Sequence, residues 1–134
     1  MPRIEPAASA LTEPFWAATR ERRLLVQWCE ACDAGIYWPR AACPRCLTDE
    51  HLGWRPSVGT GTVYAASVLH QPGNPMMADR VPYVLALVDL DEGVRMATNV
   101  VGCDPDDVAV GMAVRVDWEA LSDGRNLPVF SPAG

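Results

Sequence analysis

A chain of 134 residues, 49 % of them apolar, contains no apolar run near the roughly twenty residues a membrane-spanning helix needs. The net charge of −6 is unevenly placed: residues 1–57 balance seven arginines against seven acids, whereas residues 58–134 set four arginines against ten acids, an excess that repels phosphate backbones. No lysine occurs anywhere, which excludes a Schiff-base mechanism within this chain.

The N-terminus carries Pro2, Arg3, Glu5 and Pro6 where a secretory signal would show a basic patch and an apolar stretch. That pattern places the protein in the cytoplasm, where thiols stay reduced and open to metal. Thr12 is expected to cap a helix that opens with Glu13 and Pro14 and runs to about Arg23, so that residues 1–23 form an N-terminal helical segment. Phe15 and Trp16, with Leu11 and Thr19 nearby, give this helix a short apolar face. So short a helix is marginal alone, and its aromatics need cover from the body of the chain or from a partner.

Residues 24–57 hold the strongest chemical signal. Cys29 and Cys32, then Cys43 and Cys46, stand in two pairs with two residues inside each pair and ten between them. Two thiolates at that spacing share one tight turn, and two such turns complete a tetrahedron with sulfur about 2.3 Å from zinc. Iron in a rubredoxin-like redox role would use the same ligands, so spacing leaves the metal open between the two, with a disulfide pairing as the weaker alternative. The residue after the second cysteine of such a turn often takes left-handed backbone angles, which Asp33 can accept. Four committed sulfurs leave no open position for water or substrate, so the ion is structural. A ribbon of about thirty residues cannot build its own core, and metal binding and local folding are expected to be one event.

Trp28, Ile36, Tyr37, Trp38 and Trp54 surround the cysteines, more aromatic surface than the ribbon can enclose. Arg40, after Trp38 and Pro39, can lie on that surface or reach a phosphate. The fifth cysteine, Cys103, reads as a small buried hydrophobe.

From residue 58 to 134 the pattern is strands punctuated by Gly, Pro and Asp. Strands are expected over 60–70, 83–90, 94–101, 112–118 and 127–130, with a loop over 71–80, a tight turn at Asp91-Glu92-Gly93, and a turn or single helical turn over 103–110. Five short strands in this order match a Greek-key barrel of OB type. The expected fold is mainly β: an N-terminal helix, a rubredoxin-like zinc ribbon, then a five-stranded OB-fold barrel.

These residues resemble the zinc-ribbon OB-fold family of accessory proteins associated with acyl-CoA enzymes. The likeness rests on Cys29-x-x-Cys32, Trp38-Pro39-Arg40 before Cys43-Pro44-x-Cys46, Gly59-Thr60-Gly61-Thr62-Val63-Tyr64, Pro82 to Val88, Asp91-Glu92-Gly93 and Val110 to Val114; Asp33 departs from the glycine frequent there. The resemblance implies a non-catalytic subunit with a structural zinc. It would dock on a thiolase-like or lipid-transfer-protein-like acyl-CoA enzyme, a steroid side-chain retro-aldolase or a thiolase, as part of a hetero-oligomer in lipid metabolism, and help to hold the acyl-CoA substrate. Phe15, Trp16, Trp38 and Arg40 are the positions expected to meet the partner or CoA.

Two other readings stay in view. An enzyme in its own right has only His51 and His70 as ordinary general bases. An OB barrel can also bind single-stranded nucleic acid, against which the acidic second half argues.

Overall fold

The structure, a computed structural model, describes residues 4–133; the expectations placed on Pro2 and Arg3 lie outside them. Helix α1 (Glu13–Thr19) leads into strands β1 (Leu25–Cys29), β2 (Ala34–Ile36) and β3 (Leu52–Pro56), which form an antiparallel sheet ordered β2-β1-β3. Strands β4 (Thr60–Leu69), β5 (Tyr83–Leu90), β6 (Arg95–Val100), β7 (Ala113–Ala120) and β8 (Asn126–Pro132) close into a barrel ordered β4-β5-β6-β8-β7. The chain is therefore mainly β, a short helix and a ribbon followed by a five-stranded barrel of OB type. No helix among the described residues is long and apolar enough to cross a membrane.

The helix stops four residues short of its expected end. Arg22 adopts φ 57, and its N–H donates to Thr19 O (2.9 Å) while the N–H of Arg23 donates to Ala18 O (3.0 Å). These are the two bonds of a Schellman cap, made here around an arginine instead of the usual glycine. At the other end the Thr12 carbonyl accepts from Trp16 N–H at 3.1 Å, but the Thr12 hydroxyl makes no capping bond to the helix. It accepts instead from the N–H of Ser9 at 2.9 Å, so the cap expected from the Thr12 side chain is not formed.

Phe15 and Trp16 are almost fully buried, at 4 % and 2 % exposure. This corrects the expectation that they meet a partner: the body of the chain supplies the cover the helix needs. Their rings pack edge to face at 5.0 Å, and Arg125 lies 4.9 Å over the Trp16 ring. Thr19 and Asn126 lock the helix to the β7–β8 hairpin, the Asn126 amide donating to Thr19 O at 2.8 Å.

A single apolar cluster joins Phe15, Trp16, Leu24, Val26 and Trp28 to barrel residues that include Val63, Val88, Val94, Met96 and Phe130. Helix, ribbon and barrel thus share one core, which is how a ribbon too small to enclose apolar surface obtains it. Gly61 lets β4 coil over β5, since a Cβ there would stand 2.5 Å from Asp89 O. An irregularity of register between Val63 and Ala65 leaves Tyr64 as the extra residue of a β-bulge, facing out under the Arg95 guanidinium.

The barrel strands follow the expected spans closely, with one difference at the end. Strand β8 runs from Asn126 to Pro132 and is longer than 127–130, because all seven residues from Asn126 to Pro132 pair with Ala120 back to Val114 of β7. Its contact with β6 is a parallel pairing at Val100 and Phe130. That contact closes the barrel.

Candidate metal centre and adjoining surface

Cys29 ends β1 and Cys32 lies on the turn into β2, while Cys43 and Cys46 occupy a second turn between β2 and β3. All four sulfurs lie within 4.8 Å of one another. Cys29 and Cys46 are 3.8 Å apart and Cys43 and Cys32 are 3.9 Å apart. A regular tetrahedron with metal–sulfur bonds of about 2.3 Å has edges of about 3.8 Å, so the spacing fits a bound zinc ion and leaves no place for a fifth ligand. Asp33 and Leu47, the residues after the second cysteine of each turn, take φ 49 and φ 63. The left-handed step anticipated at Asp33 therefore recurs at Leu47, where the sequence offers an aliphatic residue and no cue.

Backbone donors prepare the second turn for an anionic sulfur. The Cys43 thiol is drawn down to about 6, first by the backbone of Cys46 and then by that of Arg45, whose N–H donates to Cys43 Sγ at 3.4 Å. Cys32 goes the other way, pushed up to about 12 by burial and by the sulfurs beside it. A metal resolves this conflict by holding all four as thiolates, so binding releases protons.

The rest of the first turn is braced from outside. Trp28 Nε1 donates to Asp33 Oδ1 at 3.4 Å, and the Arg55 guanidinium lies 4.5 Å over the Trp28 ring while pairing with Glu30 at 2.5 Å. Asp33 thus does something glycine could not: it accepts a hydrogen bond from the tryptophan that packs behind the metal.

Trp38 is 44 % exposed, although its ring touches Phe15 at 5.8 Å. It borders a concave surface of about 200 Å³ shared with Phe15, Met96, Ala97 and Pro128. Arg40 is exposed, but its backbone is fixed: the Gln27 amide accepts from Arg40 N–H at 2.7 Å and donates to Arg40 O at 2.9 Å. Continuing from Ala97 across the barrel, Leu87 and Leu85 point outward at 37 % and 48 % exposure. Ala97 and Ala65 flank Leu87, and Asn99 and Ser67 flank Leu85. No charge interrupts these positions. The Asp89–Arg95 ion pair, at 2.7 Å, closes the edge of the face.

This face was missed in reading the sequence, yet a signal exists. Tyr83-Val84-Leu85-Ala86-Leu87-Val88 is apolar at both parities, whereas a half-solvated strand alternates. The histidines are not brought together: His51 lies in the turn before β3 and His70 just past β4, both exposed. No hydrogen bond to either imidazole is formed among the described residues. Cys103 is half-buried, with its thiol pushed up by burial and then by Asp107 and Asp104.

Comparison with known proteins agrees with this geometry. A family model described as the rubredoxin-like zinc ribbon domain of ChsH2 matches residues 16–51, and one described as the C-terminal OB-fold domain of ChsH2 matches residues 54–119. A DUF35 domain-containing scaffold protein of Methanocaldococcus jannaschii is 32 % identical over 110 residues, covering 81 % of this chain and 77 % of its own. A probable enoyl-CoA hydratase alpha subunit of Thermomonospora curvata is 43 % identical over 122 residues and 89 % of this chain. The alpha subunit of 3-oxo-4,17-pregnadiene-20-carboxyl-CoA hydratase of Mycobacterium tuberculosis is 35 % identical over 90 % of this chain. The chain spans 37 % of the length of each of these two hydratase subunits. Among solved structures, a chain of the Ltp2-ChsH2(DUF35) aldolase superposes with a TM-score of 0.85 at 39 % identity, over 97 % of this chain and 100 % of that one.

A closed four-thiolate ribbon set on an OB barrel defines the class. The chain belongs to the DUF35 family, with the zinc-ribbon and OB-fold domains described for ChsH2.

Proposed function

We propose that this chain is a non-catalytic subunit that docks on a thiolase-like acyl-CoA enzyme, forming a steroid side-chain retro-aldolase or a thiolase assembly. One observation carries the reading. The metal centre is closed and no catalytic constellation accompanies it among the described residues, while an uncharged apolar face made by Trp38, Ala97, Leu87 and Leu85 is left uncovered. A face of that kind suits a partner. The fit over the whole length of a chain from an aldolase assembly supports the same reading, and the steroid acyl-CoA named for one relative supports the substrate class.

In this reading Trp38 and the barrel face meet the partner. Arg40, held by its backbone and with no side-chain hydrogen bond among the described residues, is placed to meet a phosphate of CoA. Ribbon and barrel act as one rigid body because they share a core. The acyl-CoA chemistry belongs to the companion subunit.

Co-expression with a thiolase-like enzyme from the same source tests this. The two chains are expected to co-purify in fixed stoichiometry, and the enzyme alone is expected to lose most of its acyl-CoA cleavage. A partner with full activity and no retained subunit would defeat the proposal. The acidic second half and the exposed, separated histidines give no support to nucleic-acid binding or to catalysis by this chain.

A further inference from the structure

The barrel has a second feature that neither the metal nor the docking face uses. One end opens as a cavity of about 350 Å³, within the range of roughly 300–1,000 Å³ typical of small-molecule sites. Met77, Val100, Val101 and Val129 give it apolar walls, and the two connections that flank β5 and β6 form its rim.

The polar groups of this cavity are few and nearly all committed. Arg80 Nη1 pairs with Glu119 Oε1 at 2.6 Å, with both side chains about one-third exposed or less. The Asn99 amide donates to Val84 O at 2.7 Å. The Cys103 thiol stays neutral, beside Asp104 and Asp107. Glu119 offsets the charge of Arg80, and Asp104 and Asp107 beside Cys103 add negative charge that disfavours anions such as a fatty-acid carboxylate or a phosphate. Arg80 Nε is covered and has no acceptor among the described residues, so it offers no donor to a molecule in the cavity.

We propose that this cavity binds a small, neutral, apolar molecule, its hydrocarbon lying against Met77, Val101 and Val129. Charge, more than shape, sets the selectivity. A ketone enters where the carboxylate of equal length does not.

Cys103 lines the cavity and is the one cysteine outside the metal cluster, so its alkylation reports occupancy. The zinc-loaded full chain is treated with N-ethylmaleimide, and the single adduct is followed by intact mass with octan-2-one or octanoate present at about four times the roughly millimolar dissociation constant that nine non-hydrogen atoms provide. Octan-2-one is expected to slow the reaction by at least about fivefold, and octanoate by less than about twofold. In Glu119→Gln the arginine is released and octanoate is expected to protect as well as the ketone. Chemical-shift changes at the Met77 methyl, read on the unsubstituted protein, supply a measure that does not depend on the variant folding. Equal protection by both ligands in the unsubstituted protein, or neither protection nor a Met77 shift with the ketone, would overturn the proposal.

Discussion

Gly35 of the ribbon and Val94 of the barrel approach so closely that a Cβ added to the glycine would stand 2.2 Å from Val94 Cγ2. No positive φ is involved; glycine is required for want of space. The same Cβ would meet Trp28 and Val26 at 3.2 Å each, so strand β2 is clamped between its neighbour in the sheet and the β5–β6 turn. This contact seats the metal-bearing ribbon on the barrel.

Gly35→Ala is accordingly expected to destabilise the zinc-loaded protein by about 1–3 kcal/mol, the usual cost of overpacking a filled core. Denaturant unfolding measures it. Zinc content is expected to stay at one ion per chain, because the cysteines are untouched.

Removing the metal acts on more than the ribbon. Cys29 and Cys43 are buried, and Trp28, adjacent to Cys29, belongs to the cluster shared with the barrel. Chelation, or Cys29→Ser, is expected to lower the melting temperature of the whole chain in a single transition, because ligand binding free energy is folding free energy here. Calorimetry that showed an unshifted barrel transition would separate the two halves.

Two residues hold left-handed backbone angles without being glycine and without burying anything by doing so. Arg22 caps the helix and Leu47, 79 % exposed, ends the second cysteine turn. Arg22→Gly and Leu47→Gly are each expected to stabilise by up to about 1 kcal/mol, since the relieved steric cost exceeds the extra chain entropy. Asp33→Gly should gain less than Leu47→Gly, because it loses the bond from Trp28 and the nearby Arg55 charge.

The proposed docking and the folding of the chain are expected to separate along the aromatic residues. Trp38→Ala and Leu85→Asp are expected to leave thermal stability within about 1 kcal/mol while weakening partner binding by 2 kcal/mol or more, as central interface residues do. Phe15→Ala is expected to cost about 3–5 kcal/mol of stability, as large core truncations do. Calorimetric titration with the partner, beside denaturant curves of the free chain, distinguishes the two.

The Asp123 carboxyl is held below its ordinary value, first by the backbone N–H of Arg125 and then by the Arg125 guanidinium, which it meets at 2.7 Å. A depressed folded pKa adds stability that is present above the unfolded value and is lost as pH falls through the folded one. Asp123→Asn is therefore expected to be less stable than the unsubstituted chain at neutral pH, with the gap closing below about pH 4. Comparing the two chains at each pH cancels the shared loss of zinc in acid.

The cysteine spacing determined the metal site by itself, because ligands two residues apart are placed by one turn and need little help from distant chain. The same locality made β5 and the Asp91-Glu92-Gly93 turn legible, and the five barrel strands with them. The helix and the apolar barrel face were different. Phe15 and Trp16 looked like a surface for a partner since an apolar helix face carries no sign of what covers it, and only the folded chain shows the barrel and ribbon closing over them. Leu85 and Leu87 face outward, which a strand apolar on both sides does not disclose, because it does not say which side is in. The need for glycine at Gly35 comes from Val94, fifty-nine positions later, which takes the space a side chain would fill. Local geometry is written in neighbouring residues; which surfaces meet is decided by packing across the whole chain, where apolar area is interchangeable and position is everything.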